Sequence, residues 1–582
     1  MSSDKATAYG GYYKSKKSML RTMKQELENE RSSFVTQWRD LNDYLLPRRA
    51  RFFVSDANKG DRRNHKIIHT GPIRAVRTLK SGMQAGAASP ARPWFGLTTT
   101  DPDLANFSPV KAYLDVVTRR MRSVFSRTNY YNIKPSVYGD LGVFGTSAYS
   151  IEEDFEKVFH CNSFPIGSYS IAKDSSGRVN TFFREFRMTV MQLIQAFGKT
   201  DGVSGIDWSK FSQQIKTAWD NGNYQTWIDV CHGIYPNAEF DENMLLAKYK
   251  KFASCIWETG SDDEDKFLSE KGYDYFPILA PRWETTGEDV YATNCPGMEA
   301  IGDIKQLQTG EKRSLTAIEQ LVRPSMVAPT AMRSQKTSIL PGDVTYADVR
   351  EGTQGFRKAF EMDWRIDHME NKQQQTELRI SKIFFEDLFL TLIESDRRQI
   401  TAYEIEKKYE EKLLALGPVL EQLNYDDFDP SIDIVFALMD RQGLLPPPPE
   451  ELQGQNLRVE YESIMAQAQK SIGISSIDRF AGFYTNLLTT NPEVKQKVNA
   501  DKMLEVYGDS TGIALGIIRP DDEVQMMRQA AAQQAGQQQQ AEMALQSTQA
   551  VKNLSETPVD GGGSTALDQL IQQAEAGQLI GQ

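Results

Sequence analysis

The sequence predicts a mainly α-helical chain that carries a mixed α+β region, and three observations lead to that expectation. Apolar residues recur at helical spacing over much of the 582-residue chain. Between about Ala148 and Phe276 they give way to short runs rich in aromatic and β-branched side chains, separated by Gly, Asn, Asp and Ser turns. Phe356 to Leu416 then runs about sixty residues without Gly or Pro, far beyond the ~11–12 residues of a mean helix. A chain of this length holds several times a typical domain, so two to four structural units are expected.

The first helix is expected from Lys16 to Leu46, where Leu20, Met23, Leu27, Phe34, Trp38, Leu41 and Leu45 share a face and Pro47 stops the run. A loop rich in Arg, Asp and Gly follows, from Arg48 to Arg63. A second helix begins near Pro72 and carries Ile73, Val76, Leu79 and Met83; the small-residue run Gly82 to Pro90 is expected to end it. Ser108-Pro109 opens a third, with Val110, Tyr113, Leu114, Val117, Met121, Val124 and Phe125 on one face. Strand candidates follow at Tyr149 to Phe159, Val179 to Met188 and Thr226 to Tyr235.

Helical pattern returns from Met298 to Leu307 and from Lys312 to Val322, until Pro324 and Pro329. Ala331 to Gly355 carries β and turn signals around Pro341-Gly342-Asp343. The long Gly/Pro-free stretch contains an internal restart, because Thr401-Ala-Tyr-Glu404 is a capping box. Two helices are therefore expected, Glu361 to Glu394 and Thr401 to Leu416, joined through Ser395 to Ile400. Two short helical patterns, Val419 to Leu423 and Ile432 to Leu438, precede a stiff connector at Pro446 to Pro449. Leu457 to Tyr461 alternates like a strand, and helical patterns resume at Ser463 to Ser471 and from Ile474 to Gly508. The Gln/Ala-rich tail from about Gln525 to Gln549 suits either a helix or disorder, with disorder slightly ahead, and Gly561-Gly562-Gly563-Ser564 is a flexible linker.

Composition narrows the chemistry. The net charge of −11 argues against a surface that grips nucleic acid throughout. That charge is uneven: residues 1 to 130 hold about 24 Lys and Arg against about 11 Asp and Glu, roughly +13, leaving about −24 elsewhere. Cys161, Cys231, Cys255 and Cys295 lie far apart with no CxxC pair, so a disulfide framework or zinc module is not indicated and a reducing compartment fits. No stretch approaches the roughly 18 apolar residues of a spanning helix, and the polar start lacks the core of a signal peptide, so assembly in a cytoplasm without a membrane is expected.

No G-x-x-x-x-G-K-[ST] or H-E-x-x-H is present. His65 and His69 stand four apart with no third ligand; His160-Cys161 and Cys231-His232 are neighbours that a strand turns to opposite faces. The acidic runs Glu152-Glu153-Asp154, Ser261 to Asp265 and Tyr425 to Asp429 lack EF-hand spacing and read as solvated loops. No catalytic set, cofactor or metal is therefore expected.

Several segments together resemble the head-to-tail connector, or portal, proteins of short-tailed bacteriophages. They are Leu46-Pro-Arg-Arg-Ala-Arg51 with Asp61-Arg62-Arg63, Gly82-Met83 leading to Ser89-Pro-Ala-Arg-Pro-Trp-Phe95, and Asp140-Leu141 with Phe144-Gly145-Thr146. Pro281-Arg282-Trp283, Cys295-Pro296-Gly297-Met298, Ile304-Lys305, Thr401 to Leu423, Gly443-Leu-Leu-Pro-Pro-Pro-Pro449 and Ala466-Gln-Ala-Gln469 continue it in order. Cys295 stands where the family pattern suggests Gly.

The resemblance implies a portal-type subunit of a cyclic ring, of twelve copies, at one capsid vertex of the virion, with a channel for double-stranded DNA packaging and ejection. It implies N-terminal helices and an α+β wing over 1–297, stem helices over 298–326 and 361–395, and a clip over 327–360. A channel loop with wing helices would span 396–449 and a crown 450–525, before the tail 526–582. The implied partners are further copies of the chain, the major capsid protein, the terminase motor and a tail adaptor. Arg397 and Arg398 fall at the family's channel loop and are candidates for phosphate contact, or for pairing with Glu394, Asp396 or a neighbouring subunit. Arg48, Arg49, Arg51, Arg62 and Arg63 form a second basic cluster, for subunit or DNA contact. A tail or scaffolding adaptor without a channel, or a virion-associated enzyme, is the alternative.

Overall fold

Helix α1 spans Lys16–Tyr44 because its apolar face lies along one side and Ser15 caps it, its hydroxyl accepting from the Ser18 N–H at 3.1 Å. α1 belongs to a computed structural model that describes residues 15–55, 60–101, 104, 107–199, 205–244, 246–261, 266–327, 333, 357–358, 366–390, 416–452, 454, 457–463, 465 and scattered residues from 480 onward. The chain divides into two units, Met1–Asn486 and Leu487–Gln582. In the second, the scattered described residues are helical, including all of 526–531 in the Gln/Ala-rich tail.

In the first unit, α2 (Gly71–Ala87), α3 (Ser108–Arg127) and α4 (Tyr130–Phe144) follow α1. α2 ends at Ala87, inside the small-residue run Gly82 to Pro90 expected to end it. The first residue of that run, Gly82, also serves close packing, since a Cβ there would lie 2.3 Å from Phe389. α4 has no counterpart in the sequence reading. It is buried nearly all round and contains Pro135, so it shows no amphipathic stripe to detect.

A hairpin follows, β2 (Ala148–Asp154) against β3 (Val158–Phe164), after the short strand β1 (Phe95–Thr99). The expected single run Tyr149 to Phe159 is thus broken by a turn at 155–157, closed by Val158 at φ 76°, an uncommon conformation for a β-branched residue. The main sheet is antiparallel in the order β4 (Tyr169–Lys173), β5 (Val179–Thr189), β6 (Trp227–Pro236), β7 (Phe252–Glu258), β8 (Ser269–Tyr273). One face packs Phe183, Cys231, Tyr235, Cys255 and Trp257 against Met19 and Leu20 of α1. Phe182 and Ile234 join the central core with α2, α4 and the hairpin. The strand β9 (Ile278–Leu279) adds to β2, giving the order β3-β2-β9. α5 (Val190–Phe197), with a Thr189/Gln192 capping box, and α6 (Gln213–Asp220) bury a satellite cluster beside Ile228 and Val230.

α7 (Pro296–Val322) is one continuous helix where two patterns were expected; Gly310 sits in its interior beside Gln373. Gly297 lets its first turn approach Val143, whose carbonyl oxygen would lie 2.5 Å from a Cβ there. Cys295 is extended, at φ −167°, so the departure from Gly costs no backbone strain. Met326–Val327 and Arg357–Lys358, β10 and β11, pair antiparallel beyond it. α8 (Ile366–Ile383) returns antiparallel to α7, tied by Arg379 to Asp303 at 2.7 Å and by Gln373 to Ser314 at 2.8 Å.

The expected helix Glu361 to Glu394 is broken after Ile383. Phe385 adopts φ 54°, and helical residues 386–390 follow in a new direction that buries Phe384, Leu388 and Phe389. The segments Ala331 to Gly355, Thr401 to Ala415 and the junction Ser395 to Ile400 lie outside the described residues, Arg333 excepted. Residues 416–423 are helical and continue through a π-helical turn, Asn424–Phe428, into α9 (Asp429–Arg441). The Pro446–Pro449 connector is irregular and leads to β12 (Leu457–Tyr461), which pairs antiparallel with β1. The described part of Ser463 to Ser471 is too short to test a helix there.

Candidate functional site

The π-helical turn at Asn424–Phe428 widens the helix, and it re-aims two consecutive carboxylates. Asp426 receives Arg282 in a fork, Nε to Oδ2 and Nη2 to Oδ1, both at 2.9 Å, with Gln422 adding 2.8 Å. Asp427 receives the Lys134 ammonium at 2.5 and 2.7 Å, and both side chains are fully buried. The Tyr149 hydroxyl also bonds Asp427. Rings of Tyr130, Tyr149 and Phe428 surround the ammonium at 4.5, 4.8 and 5.1 Å. Burial pushes Lys134 below the ordinary lysine range, with Asp427 pulling it back, and pushes Tyr130, Tyr138 and Tyr149 well above the phenol range.

The acidic run Tyr425 to Asp429 is therefore no solvated loop. It is a buried fastener that ties α9 to α4 through Lys134, and to the segment after β9 through Arg282. A lone Lys134 in an apolar helix and an Asp-Asp pair about 290 residues later carry no spacing signal, so only the fold could reveal their meeting.

The basic cluster is dispersed. Arg49 turns inward, its Nε and Nη2 forked onto Asp140 at 2.6 to 2.9 Å and its Nη2 on Ser163 at 2.5 Å. Burial pushes the Asp140 carboxyl up and Arg49 draws it back. Arg48 is exposed and donates to the Asp61 carbonyl at 3.3 Å. Arg62 is exposed and Arg63 half-buried, while Arg51 opens onto a cleft of about 670 Å³ beside β5. Arg397 and Arg398 lie outside the described residues.

Catalytic chemistry finds little support in this geometry. All four cysteines are buried, and burial pushes the Cys161 and Cys295 thiols up to about 12, opposite to what a nucleophile needs. His160 is exposed where Cys161 is buried, as alternation on a strand requires. His232 lies 2.9 Å from Ser254, but burial first, then Arg184 and Lys271, pushes that imidazole down to about 3, too weak for a general base near neutrality. His69 is engaged by backbone, accepting the Gly71 N–H at 3.1 Å. Among the described residues, no group of three or more metal-ligating side chains forms. No described helix is long and apolar enough to cross a membrane.

The α7–α8 pair presents the opposite kind of surface. Leu315, Ile318, Leu321 and Val322 lie 40 to 73% exposed on the last turns of α7, and Leu378 of α8 is 62% exposed. An apolar row this open marks an interaction surface.

Residues 17–518 match the family model described as bacteriophage head to tail connecting protein. The chain belongs to that family. It is 44% identical over 532 residues to the portal protein of Salmonella phage epsilon15, covering 91% of this chain and 94% of the relative. It is 40% identical over 519 residues to a probable portal protein of Bordetella phage BPP-1, covering 89% and 91%. This head-to-tail connecting protein accordingly has the function of a viral portal in DNA packaging. Its buried fasteners and its open apolar row fit a structural role.

Proposed function

We propose that the chain is the subunit of a closed ring, twelve copies at one capsid vertex of the virion, through whose axis double-stranded DNA enters during packaging and later leaves. The observation that carries this reading is the apolar row on the last turns of α7, which a solitary subunit leaves in water and which cyclic neighbours would cover. On this reading residues 1–297 form the wing, 298–326 and 361–395 the stem, 327–360 the clip, 396–449 the channel loop with further wing helices, and 450–525 the crown. The clip would meet the ATP-driven terminase and later the tail adaptor, and the wing would face the major capsid protein.

A DNA channel must guide without holding. Each phosphate neutralised by Lys or Arg adds affinity, so an acidic subunit, net −11, suits passage. Arg397 and Arg398 are assigned to occasional phosphate contact at the channel loop, with Arg48, Arg51, Arg62 and Arg63 as peripheral cations for neighbouring subunits or packaged DNA. Arg49 is assigned to holding Asp140.

Light scattering with single-particle electron microscopy of the purified chain tests the ring. A closed particle near 790 kDa, twelve times the 65.8 kDa chain, with an axial hole of duplex width is expected. A compact dimer without a hole would defeat the reading. In such rings, Arg397→Ala with Arg398→Ala should leave assembly intact and alter packaging or retention of DNA; unchanged packaging and retention would remove both from the site.

A further inference from the structure

We propose that the tip of the β2–β3 hairpin, Asp154-Phe155-Glu156, inserts into the cleft beside β5 of a second copy of this chain. The inference rests on the ring reading above and names one of the contacts that would close it.

The cleft lies where the main sheet is incomplete. β4 begins at Tyr169, opposite Arg184, while β5 continues to Thr189 and pairs there only with β6. The β4 side of Glu185–Thr189 is thus an open strand edge, a feature that proteins cover or use. The edge forms one wall of the cleft, with Phe52 and Phe53 on another and Trp227 at the rim. Phe53 and Trp227 are 64% and 57% exposed. The lining is therefore partly aromatic and partly uncovered.

Its charge is unbalanced. Lys24, Arg31, Arg51, Arg184 and Arg187 line it against only Glu28 and Glu185. Lys24 already engages both of those carboxylates, and Arg187 pairs with Asp229 at 2.6 Å. Arg184 forms no ion pair among the described residues. Its guanidinium is stacked on Phe164 at 4.5 Å and Phe186 at 4.2 Å, and its Nε lacks a hydrogen-bond acceptor, as does that of Arg31. Arg51 is exposed at the cleft and adds a further cation to its lining. Glu152 acts on Arg184 from beyond ion-pair distance, and a half-buried guanidinium with no carboxylate in contact gains from an incoming one.

The hairpin tip supplies the matching chemistry. Phe155 is 87% exposed, more than any other large apolar side chain among the described residues. Asp154 and Glu156 flank it, so the tip offers one aromatic anchor between two carboxylates. The turn is stiff, held by the full β2–β3 ladder and closed by Val158 in the left-handed region. Anchor and cleft belong to different patches of one subunit, which gives a head-to-tail contact of the kind that closes rings. Aromatic lining residues favour a peptide knob over a nucleic-acid backbone, whose charges would leave the rings unused.

The full-length chain with Phe155→Cys and Phe53→Cys tests the contact, because the four native cysteines are buried. Mild oxidation should give a ladder of covalent multimers on a denaturing gel, with no ladder from either single variant. Phe155→Asp, a change at an exposed position, should lower the ring fraction at fixed concentration by tenfold or more, with the circular dichroism spectrum unchanged. Rings of normal mass in Phe155→Asp, with no ladder from the double-cysteine chain, would overturn the docking and leave the ring reading standing. A chain that stays monomeric by scattering at every concentration and gives no ladder would overturn both. Tenfold weaker binding of duplex DNA by Arg51→Glu, with unchanged ring mass and no ladder, would assign the cleft to nucleic acid instead.

Discussion

The fastener around Asp426 and Asp427 and the hairpin of α7 and α8 use their polar and apolar groups in opposite ways. In the first, charges are withdrawn from water and satisfied inside one subunit: Lys134 by Asp427 and Arg282 by Asp426, with Arg49 on Asp140 nearby. In the second, charges face outward along with Leu315, Ile318 and Val322, and the apolar face is left open. A buried ion pair recovers its desolvation cost only when its geometry is held, so the fastener defines one arrangement of elements distant in sequence. An exposed apolar row gains nothing until another surface covers it. One region is finished within the subunit, and the other leaves its apolar face open, which on the ring reading proposed above a neighbouring subunit would cover.

Alkali should break the finished region most severely. Tyr130, Tyr138, Tyr149, Tyr169 and Tyr291 are all buried and held above the ordinary phenol range. Unfolded phenols ionise near pH 10, so above that pH the unfolded chain has lost protons that the folded chain keeps. Stability is then fully present below about pH 10 and falls as pH rises, by about 1.4 kcal/mol per phenol per pH unit, roughly 7 kcal/mol for the five. Lys134, shifted down, works in the opposite direction below the ordinary lysine range, as one group against five. Tyrosinate absorbance and circular dichroism followed together should change in one transition; early, separate ionisation of these phenols would show that the core opens locally.

Asp427→Ala comes next. It leaves Lys134 buried without its partner, and a loss of about 3–5 kcal/mol is expected in denaturant unfolding. The double change Lys134→Met with Asp427→Leu should recover most of that loss, because it removes both charges at once. Equal losses in the single and double variants would mean that the pair matters for shape and not for charge.

A smaller effect is expected from Gly82→Ala, which places a methyl group 2.3 Å from Phe389 and should cost about 1–3 kcal/mol through overpacking. Val322→Asp should change the stability of the isolated subunit by no more than about 0.5 kcal/mol, since the side chain is 73% exposed. The same change should reduce ring formation, read by light scattering. A large stability loss with rings unchanged would reverse the contrast between the two regions.

Much of this was legible before the fold. α1, α3 and the strands β5, β6 and β12 follow from period and caps, because those elements bury one face and keep the other in water. α4 and the π-helical turn were not. α4 is buried over most of its surface, with only Asn132 and Ser136 exposed, so no broad polar face marks its period, and Tyr425 to Asp429 reads as a hydrophilic loop until its partners appear. The basic cluster was legible as charge but not as destination: nothing adjacent to Arg49 distinguishes it from Arg48, and only the approach of α4 brings Asp140 to it. The break in the long helical stretch at Phe385 was hidden for the same reason, since Gly82 that makes room for Phe389 lies about 300 residues away.

The sequence by itself determined the family, the amphipathic helices α1 and α3, the strands β5, β6 and β12 and the absence of familiar catalytic motifs, because spacing, caps and turns are local or sequential properties. Tertiary structure alone decided which charges are fasteners, which glycines are contacts and which apolar face stays open. Those outcomes depend on desolvation and close packing between residues far apart in the chain, and neither acts until the chain has folded.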